Sequence, residues 1–474
     1  MSVYLDVACI HIQRYLARTP TLRGRRAASA VLAEATRLHE RDDDPPQAPP
    51  PPLLRALGGY ATANAEAGIA DGVVSVVVDN GVAPADAARR VLAHLRETLP
   101  GATFQAVWGE GHTYLDAYNN RIKPQLASGQ GLLTDLPPLA EFPPISPCRF
   151  CRSAPACTRL PIDPFGEEHR EQRREQDACA DCEMRYGTRT SRRAGRTAED
   201  RLAKKLGLTR IDDFAALAAL GTTESGRNHL ATVYADGNAI GDFFSALVKK
   251  EGDKGSVSKR LVDATRDALA AATRAISHES MLCAVPHVVG GDDVLVSVPA
   301  DRGWRFAAAL LTELETSFAA IAGEFGIDQA PTASAGIAFA HAHHPFHLVV
   351  ESADACMRRA KGAYAGQRTS LDFCDITVEG NDVPAEAPLS LQALRAHAAD
   401  LDRLVAAMPA HQRNRQENLR RLGADWQHQA EADLVRIGRT EVLAPFRPNT
   451  VDGQDGIKTT QALRIARWWR DGID

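Results

Sequence analysis

An α+β fold is predicted for this chain: two ferredoxin-like units, a cysteine-paired module between them, and a helical domain at the C-terminal end. Three observations predict it. β-Branched runs alternate with amphipathic helical stretches in residues 1–143, the same rhythm returns in 227–385, and 386–474 keeps helical periodicity but has few strand formers. Between the alternating units, residues 144–226 turn to prolines, arginines and two pairs of cysteines.

The elements follow in order. SVYLDVACIH (2–11) is a strand, and the arginine-studded stretch after it is one long helix through Glu40. ERDDDPPQAPPPPLL (40–54) is a surface loop, because its prolines offer no N–H to a helix or a sheet interior. GVVSVVVD (72–79) is a strand, PADAARRVLAHLRETL (84–99) an amphipathic helix and ATFQAVWG (102–109) a strand. In the second unit HLATVYAD (229–236) is a strand, followed by two helices and a hairpin of VPHVV (285–289) with VLVSVP (294–299). A helix over 301–325 places Phe306, Leu310, Leu314, Phe318, Ile321 and Phe325 on one face. TASAGIAFAH (332–341), a helix over 345–364 and SLDFCDIT (370–377) complete the unit. Its element order repeats that of the first without shared motif residues, a duplication of architecture.

At 474 residues the chain exceeds one compact core, and roughly two to four domains are expected. Its 44% hydrophobic and 24% charged residues are those of a globular protein, and a net charge of −5 excludes a globally basic nucleic-acid binder. A local basic stretch remains in Arg185, Arg189, Arg192, Arg193, Arg196, Arg201, Lys204 and Lys205; it fits RNA phosphates or a solvated helix face interleaved with Glu199 and Asp200. Charges interrupt the apolar runs, and the N-terminus lacks a signal-peptide pattern, so a cytoplasmic location with no membrane partner is expected. Nine cysteines in such a compartment argue for metal or free thiols rather than disulfides.

Gly290-Gly291-Asp292-Asp293 falls at the tip of the predicted hairpin. Paired carboxylates there suit the hard divalent cations of phosphoryl transfer from a nucleoside triphosphate, and glycines let the phosphates approach; an ordinary hairpin also favours Gly and Asp. Asp236 ends the neighbouring strand as a third acid, and Gly237-Asn238-Ala239-Ile240-Gly241 leads into a helix as a loop that can curl around phosphate, or as a plain helix cap. Lys361, late in its helix, is placed to reach a phosphate as a point charge, or is a plain solvated lysine. Cys148-x2-Cys151 and Cys179-x2-Cys182 supply four thiolates for a structural Zn²⁺, with Cys157 as a spare. His341, His343 and His344 are read as surface residues, and Cys9, Cys283, Cys356 and Cys374 as core.

The succession DGNAIG (236–241), GGDD (290–293), SAGIAFAH (334–341) and ADACMRRAKG (353–362) resembles the catalytic palm of the large, polymerase-like subunit of type III CRISPR effector complexes. It is more distantly similar to diguanylate cyclases, whose motif ends in Glu-Phe where this chain has Asp293-Val294. YLDVACIHIQRYLARTPTLRGRRAASAVL resembles the first, non-catalytic palm of the same subunit, and the cysteine module and helical tail match its layout.

The resemblance implies two facing palms that bind two ATP molecules and make cyclic oligoadenylate when a complex of guide RNA and protein holds target RNA, with a small helical subunit at the C-terminal domain. Asp236, Asp292 and Asp293 would then be catalytic and hold Mg²⁺ or Mn²⁺; Gly237 and Asn238 would lie along the triphosphate, Gly290 and Gly291 would shape the hairpin, Lys361 would contact phosphate, and Ser334 would approach a base. Two departures accompany it. Asn238 stands where the family has a second acid, and the His-Asp pairs of the family's N-terminal HD nuclease are absent, so no HD nuclease activity is expected. A stand-alone cyclic nucleotide synthase and a catalytically inert structural subunit are the alternatives.

Overall fold

The computed structural model describes the chain except residues 20, 40–48, 69–70, 136–145, 162–174, 187–196, 222–227, 250–253, 278–279, 381–385, 423–425, 447–455, 471 and 474. The predicted boundaries near 143, 226 and 385 fall in or beside these excepted segments, as do Arg189, Arg192, Arg193 and Arg196.

The first unit is a sheet of β1 (Ser2–Ile10), β2 (Ala61–Ala63), β3 (Val73–Val78), β4 (Thr103–Gly111) and β5 (Leu133–Asp135) in the order β2-β3-β1-β4-β5, antiparallel throughout. Its first four strands have the order of a split β-α-β unit, with β1 between β3 and β4. One face buries Leu5, Val7, Val74, Val76, Phe104 and Ala106 under helices, because alternate residues of a strand share a face. The predicted long helix is instead two, α1 (Ile12–Ala17) and α2 (Leu22–Ala35). The sequence between them, Thr19-Pro20-Thr21, explains the break: proline disrupts the helical ladder, and Thr21 starts α2 afresh by accepting a hydrogen bond from the Gly24 amide. Pro52–Ala56, part of the predicted loop, forms a short helix, since proline is tolerated in a first turn. Helix α3 (Pro84–Thr98) covers the sheet with Ala87, Ala88, Val91, Leu92 and Leu95, and α4 (Lys123–Ser128) follows a π-helical turn at Tyr118–Ile122.

A small antiparallel pair, β6 (Thr158–Leu160) and β7 (Gln176–Ala178), and α5 (Ala180–Tyr186) build the cysteine module.

The second unit holds β8 (His229–Asn238), α6 (Ile240–Lys249), α7 (Lys254–Ile276), β9 (Val285–Gly290), β10 (Asp293–Pro299), α8 (Gly303–Glu324), β11 (Thr332–His341), α9 (Phe346–Ala363), β12 (Ser370–Asp375) and β13 (Leu389–Ser390). Its strand order, β13-β12-β11-β8-β10-β9, contains the same four-strand arrangement, β11-β8-β10-β9, and only β11 and β12 run parallel. Ala231, Val233, Ala235, Val294, Val296, Ala335 and Ile337 pack with residues of α7 and α8 on one face, while Leu230, Tyr234, Leu295 and Ala338 meet α9 on the other. Burial on both faces is why these strands read as near-continuous apolar runs. Among the described residues Ala300–Glu324 is apolar and long enough to cross a membrane, but its Phe306, Leu310, Leu314 and Phe318 are buried in this core.

Helices α10 (Ala398–Ala407), α11 (Ala410–Arg421), α12 (Gln427–Arg436) and α13 (Thr459–Trp468) form the helical tail. Leu401, Leu404, Leu434, Leu463 and Ile465 join the core that α8 fills, so the tail shares the hydrophobic interior of the second unit.

Candidate active site and cysteine cluster

Strands β9 and β10 end on the pair Gly290 and Asp293, leaving Gly291 and Asp292 as a two-residue turn. Gly291 has φ +58°, a conformation that side-chain-bearing residues adopt at a cost. A Cβ at Gly290 would meet nothing within 4 Å, so that side of the hairpin is open to an incoming group. The β10–β8 register runs Val294 against Ala235, and its next step sets Asp293 beside Asp236.

Gly237 and Asn238 do not form the predicted phosphate loop. They continue β8 and pair with Ala333 and Thr332 of β11, because a full partner strand overrides the local turn signal. The turn is made by Ala239 alone, at φ 57°, and α6 starts at the next residue. Asn238 is fully buried and donates to the Thr332 and Ser334 hydroxyls at 2.9 Å each, so its side chain lies inside the sheet rather than along a triphosphate. Ser334 is equally buried and bonds the Ser370 hydroxyl at 2.9 Å; the expected approach to a base is therefore corrected, since the side chain has no open face.

Gly237 has a different task. A Cβ there would stand 2.5 Å from Asp292 Oδ2 and 2.9 Å from Asp292 Cβ, so only glycine lets the hairpin carboxylate settle against β8. Asp292 accepts a hydrogen bond from the Gly237 amide, yet its carboxyl is pushed up to about 6, first by burial and then by Asp236. Asp293 is raised as well, by burial, by its hydrogen bond with Asp236 and by the Asp236 and Asp292 charges. Lys361, from α9, does not extend freely toward a phosphate. Its ammonium donates to Asp236 Oδ2 at 2.6 Å and to the Gly237 carbonyl at 2.9 Å. The helix comes this close because Gly336 of β11 lies under α9, where a Cβ would be 2.0 Å from the Ala353 carbonyl oxygen.

One neighbour escaped the sequence reading. Tyr234 shares the Asp236 face of β8 and takes a 2.6 Å hydrogen bond from Gln13 of α1, and its hydroxyl is raised by burial, then by Asp293 and Asp236. A polar tip two residues before Asp236 in an apolar run was its signal; the partner Gln13 had none, being remote in sequence.

Three oxygen-donor carboxylates on neighbouring strands fit a hard divalent cation, whose charge would relieve the repulsion that raises Asp292 and Asp293. They are less tightly gathered than the cysteines: among the described residues only Cys148, Cys151, Cys179 and Cys182 bring their ligand atoms all within 4.8 Å of one another. Cys151 Sγ lies 3.8 Å from Cys179 Sγ, and a tetrahedron of Zn–S bonds of about 2.3 Å has edges of about 3.8 Å. Hydrogen bonds shared among the four thiols lower Cys151 and raise Cys179 and Cys182, so one cation would displace protons that the cluster otherwise holds in common. Cys157 is exposed and outside the cluster.

Arg185 departs from the predicted basic face. It is fully buried, pairs with Asp181 at 2.9 Å and donates to the Tyr15 carbonyl, fastening the module to α1. Lys205 pairs with Asp267, and Arg201 lies 3.8 Å from Asp71. His341 and His343 are exposed and His344 half-buried; Cys283, Cys356 and Cys374 are buried, and Cys9 partly so.

Residues 229–371 match the family described as Cas10/Cmr2, second palm domain. No curated protein matches the chain by sequence. Among solved structures, the Csm1-Csm4 cassette in complex with pppApA is similar at 12% identity and a TM-score of 0.54, over 99% of this chain and 69% of that one. The cassette in complex with cA3 gives 11% identity and a TM-score of 0.54 over 99% and 70%. The apo cassette gives 12% and 0.52 over 98% and 70%. Against the cassette with cA4 the match spans only 54% of that chain, so this chain covers from about half to 70% of the structures it resembles.

Proposed function

We propose that this Cas10-like chain makes cyclic oligoadenylate from ATP in the cytoplasm, as the signalling subunit of an RNA-guided type III CRISPR complex switched on by target RNA. The observation that carries the reading is the meeting of Asp236, Asp292 and Asp293 across the β8–β10 pair, inside the segment that matches the family's second palm. Csm1-Csm4 cassettes of similar fold have been solved with pppApA and with cA3, which supports adenylate chemistry at such a site.

When bound, Mg²⁺ or Mn²⁺ supplies Lewis-acid stabilisation of the phosphoryl oxygens and activates a ribose 3′-hydroxyl. The chain holds the cation ligands on two strands: Asp292 and Asp293 from the hairpin, Asp236 from β8. Open space beside Gly290 admits the triphosphate. Lys361 neutralises Asp236 in the absence of nucleotide and, being 39% exposed, can exchange that partner for a phosphate oxygen. Asn238, buried and bonded within the sheet, keeps β8 and β11 in register beneath the site rather than replacing a metal ligand. The first unit, with the same strand order, is the platform for the second nucleotide; the cysteine cluster holds structural zinc; and the helical tail faces a small helical subunit of the ribonucleoprotein.

The test is incubation of the complex with ATP and Mg²⁺, with and without target RNA. Cyclic oligoadenylate should form with RNA and vanish in the Asp292→Ala, Asp293→Ala double variant. Product that persists in the variant, or none from the native complex, would sink the reading, and product without RNA would identify a stand-alone synthase.

A further inference from the structure

We propose that Asn238, Ser334 and Ser370 form a positioning relay for Lys361, one that works only with an amide at position 238. The inference rests on the proposed nucleotidyl transfer and gives these buried residues a task in it without contact to nucleotide or metal. Ser334 of β11 and Ser370 of β12 stand opposite each other in the parallel pair, and Asn238 ends β8 on the other side of β11. All three are fully buried. Asn238 Nδ2 donates to Ser334 Oγ at 2.9 Å, the two serine hydroxyls are 2.9 Å apart, and Ser370 Oγ donates to the Ala360 carbonyl at 3.0 Å. A second branch leaves the same amide: Nδ2 donates to Thr332 Oγ1 at 2.9 Å, and Thr332 donates to the Gly366 carbonyl at 2.8 Å.

The proton directions follow from these partners. A hydroxyl has one proton to give. Ser370 gives its proton to Ala360, so it must accept from Ser334; Thr332 gives its own to Gly366. Ser334 and Thr332 must then both accept from position 238, which calls for a group with two N–H donors. An ionised carboxylate there has none, and it would bury an unpaired charge. Asn238 Oδ1 has no hydrogen-bond partner among the described residues, so what this side chain contributes is its donors. Both branches end where a helix needs them, because its last carbonyls lack intrahelical partners. Ala360 and Gly366 flank Lys361 at the end of α9, and the cap residue Tyr364 turns its amide to Gly362 rather than to Ala360. Beyond the cap the chain reverses through Ala365 at φ 48° and Gly366 at φ 70°, and the Gly366 amide returns to the Lys361 carbonyl at 3.3 Å. The backbone of Lys361 is thus tied to the strand whose Asp236 and Gly237 receive its ammonium, and the long side chain is fixed at its root as well as at its tip.

The first experiment measures acylation of Lys361 by an amine-reactive ester, read residue by residue by mass spectrometry on the full chain, with the exposed Lys204 as reference. In Ser370→Ala, and in the isosteric Asn238→Asp, Lys361 should react roughly fivefold faster, the size of one lost hydrogen bond, while Lys204 keeps its native rate. Native protection of Lys361 in both variants overturns the proposal, and so does a parallel rise at Lys204, which would report general loosening. The second experiment is a double-mutant cycle on kcat/KM for ATP in the RNA-bound complex. Ser370→Ala should lower it roughly fivefold on its own and by nothing further in the Lys361→Ala background. Losses that add in the double variant would show that Ser370 acts on the fold and not through Lys361. If the native complex makes no product, the nucleotidyl reading falls, and the acylation rates alone still decide whether the relay holds Lys361.

Discussion

Asp293 is held where a carboxylate least favours its charge. Burial, the shared hydrogen bond with Asp236 and the two neighbouring carboxylates all raise it, and Asp292 is pushed up to about 6. The sign of the consequence follows. Both groups bind protons more tightly folded than unfolded, so their stabilising contribution is complete below the ordinary value of 3.8. It is lost as pH rises through about 6 for Asp292, and higher still for Asp293. Without divalent cations the protein should therefore become less stable between about pH 4 and pH 8 from this site, and added Mg²⁺ should restore stability most at the alkaline end. Asp293→Asn keeps the shape and removes a charge. At about pH 8 without metal it should be more stable than the native chain by on the order of 1 kcal/mol, and it should respond less to Mg²⁺. Thermal unfolding across the pH range checks this; a variant no more stable than the native chain at pH 8 would show that the repulsion is already relieved.

Two knuckles and one helix start hold the cysteine module together. Cys148 and Cys151 come from the loop before β6, Cys179 from the step between β7 and α5, and Cys182 from the first turn of α5, so four thiols tie together segments otherwise joined by a three-residue pair of strands and a few backbone hydrogen bonds. With so small an apolar interior, Phe150, Leu160, Ala178 and Tyr186 beside the cysteines, a metal held by the four thiols would be the main source of order. The purified protein should carry one zinc per chain, as measured by metal analysis, and Cys182→Ser should remove it. Chelation should release the module from α1 by freeing Asp181 and Arg185, seen as new protease sensitivity around Tyr186 while the second unit stays intact. Full zinc content in the serine variant would refute the ligand set. This site was legible in the sequence because its ligands come in local pairs. The hairpin was legible for the same reason, its residues being adjacent. Gly237 and Asn238 were not, since their state depends on β11, a strand that begins at Thr332. Nor was the pairing of Lys361 with Asp236, which depends on how closely α9 sits over Gly336.

Across the whole molecule, the two sheet units meet through α1 and α2. Ala17 and Leu22 join the core that holds Leu230, Tyr234 and Phe346, and Gln13 reaches Tyr234. Arg26 forks onto Glu199 at 2.5 and 2.6 Å. At the centre lies Arg25, its guanidinium 3.6 Å from the Phe346 ring centre and 4.6 Å from that of Phe214, with Nε donating to the Thr19 carbonyl. These are contacts between residues remote in sequence, and nothing in the arginine-studded stretch itself points to the rings that Arg25 packs against.

A desolvated cation–aromatic contact is worth about 2 kcal/mol. Arg25→Ala would remove it and leave a void between the two rings, so the variant should lose at least that much in the coupling between units. The loss has a functional reading. Phe346 begins α9, the helix that delivers Lys361, while Tyr234 lies on the strand that carries Asp236; loosening this seam shifts the first unit relative to both. Denaturant unfolding of Arg25→Ala should therefore split into two transitions where the native chain shows one. ATP affinity should fall although Arg25 is remote from the carboxylates in the contacts it makes, and Arg25→Lys, with a compact ammonium that cannot stack as a plane, should rescue only part of either effect. A single transition at the native midpoint together with native ATP affinity would mean that the units are held by the apolar contacts alone, and that the site does not depend on how the first unit is seated.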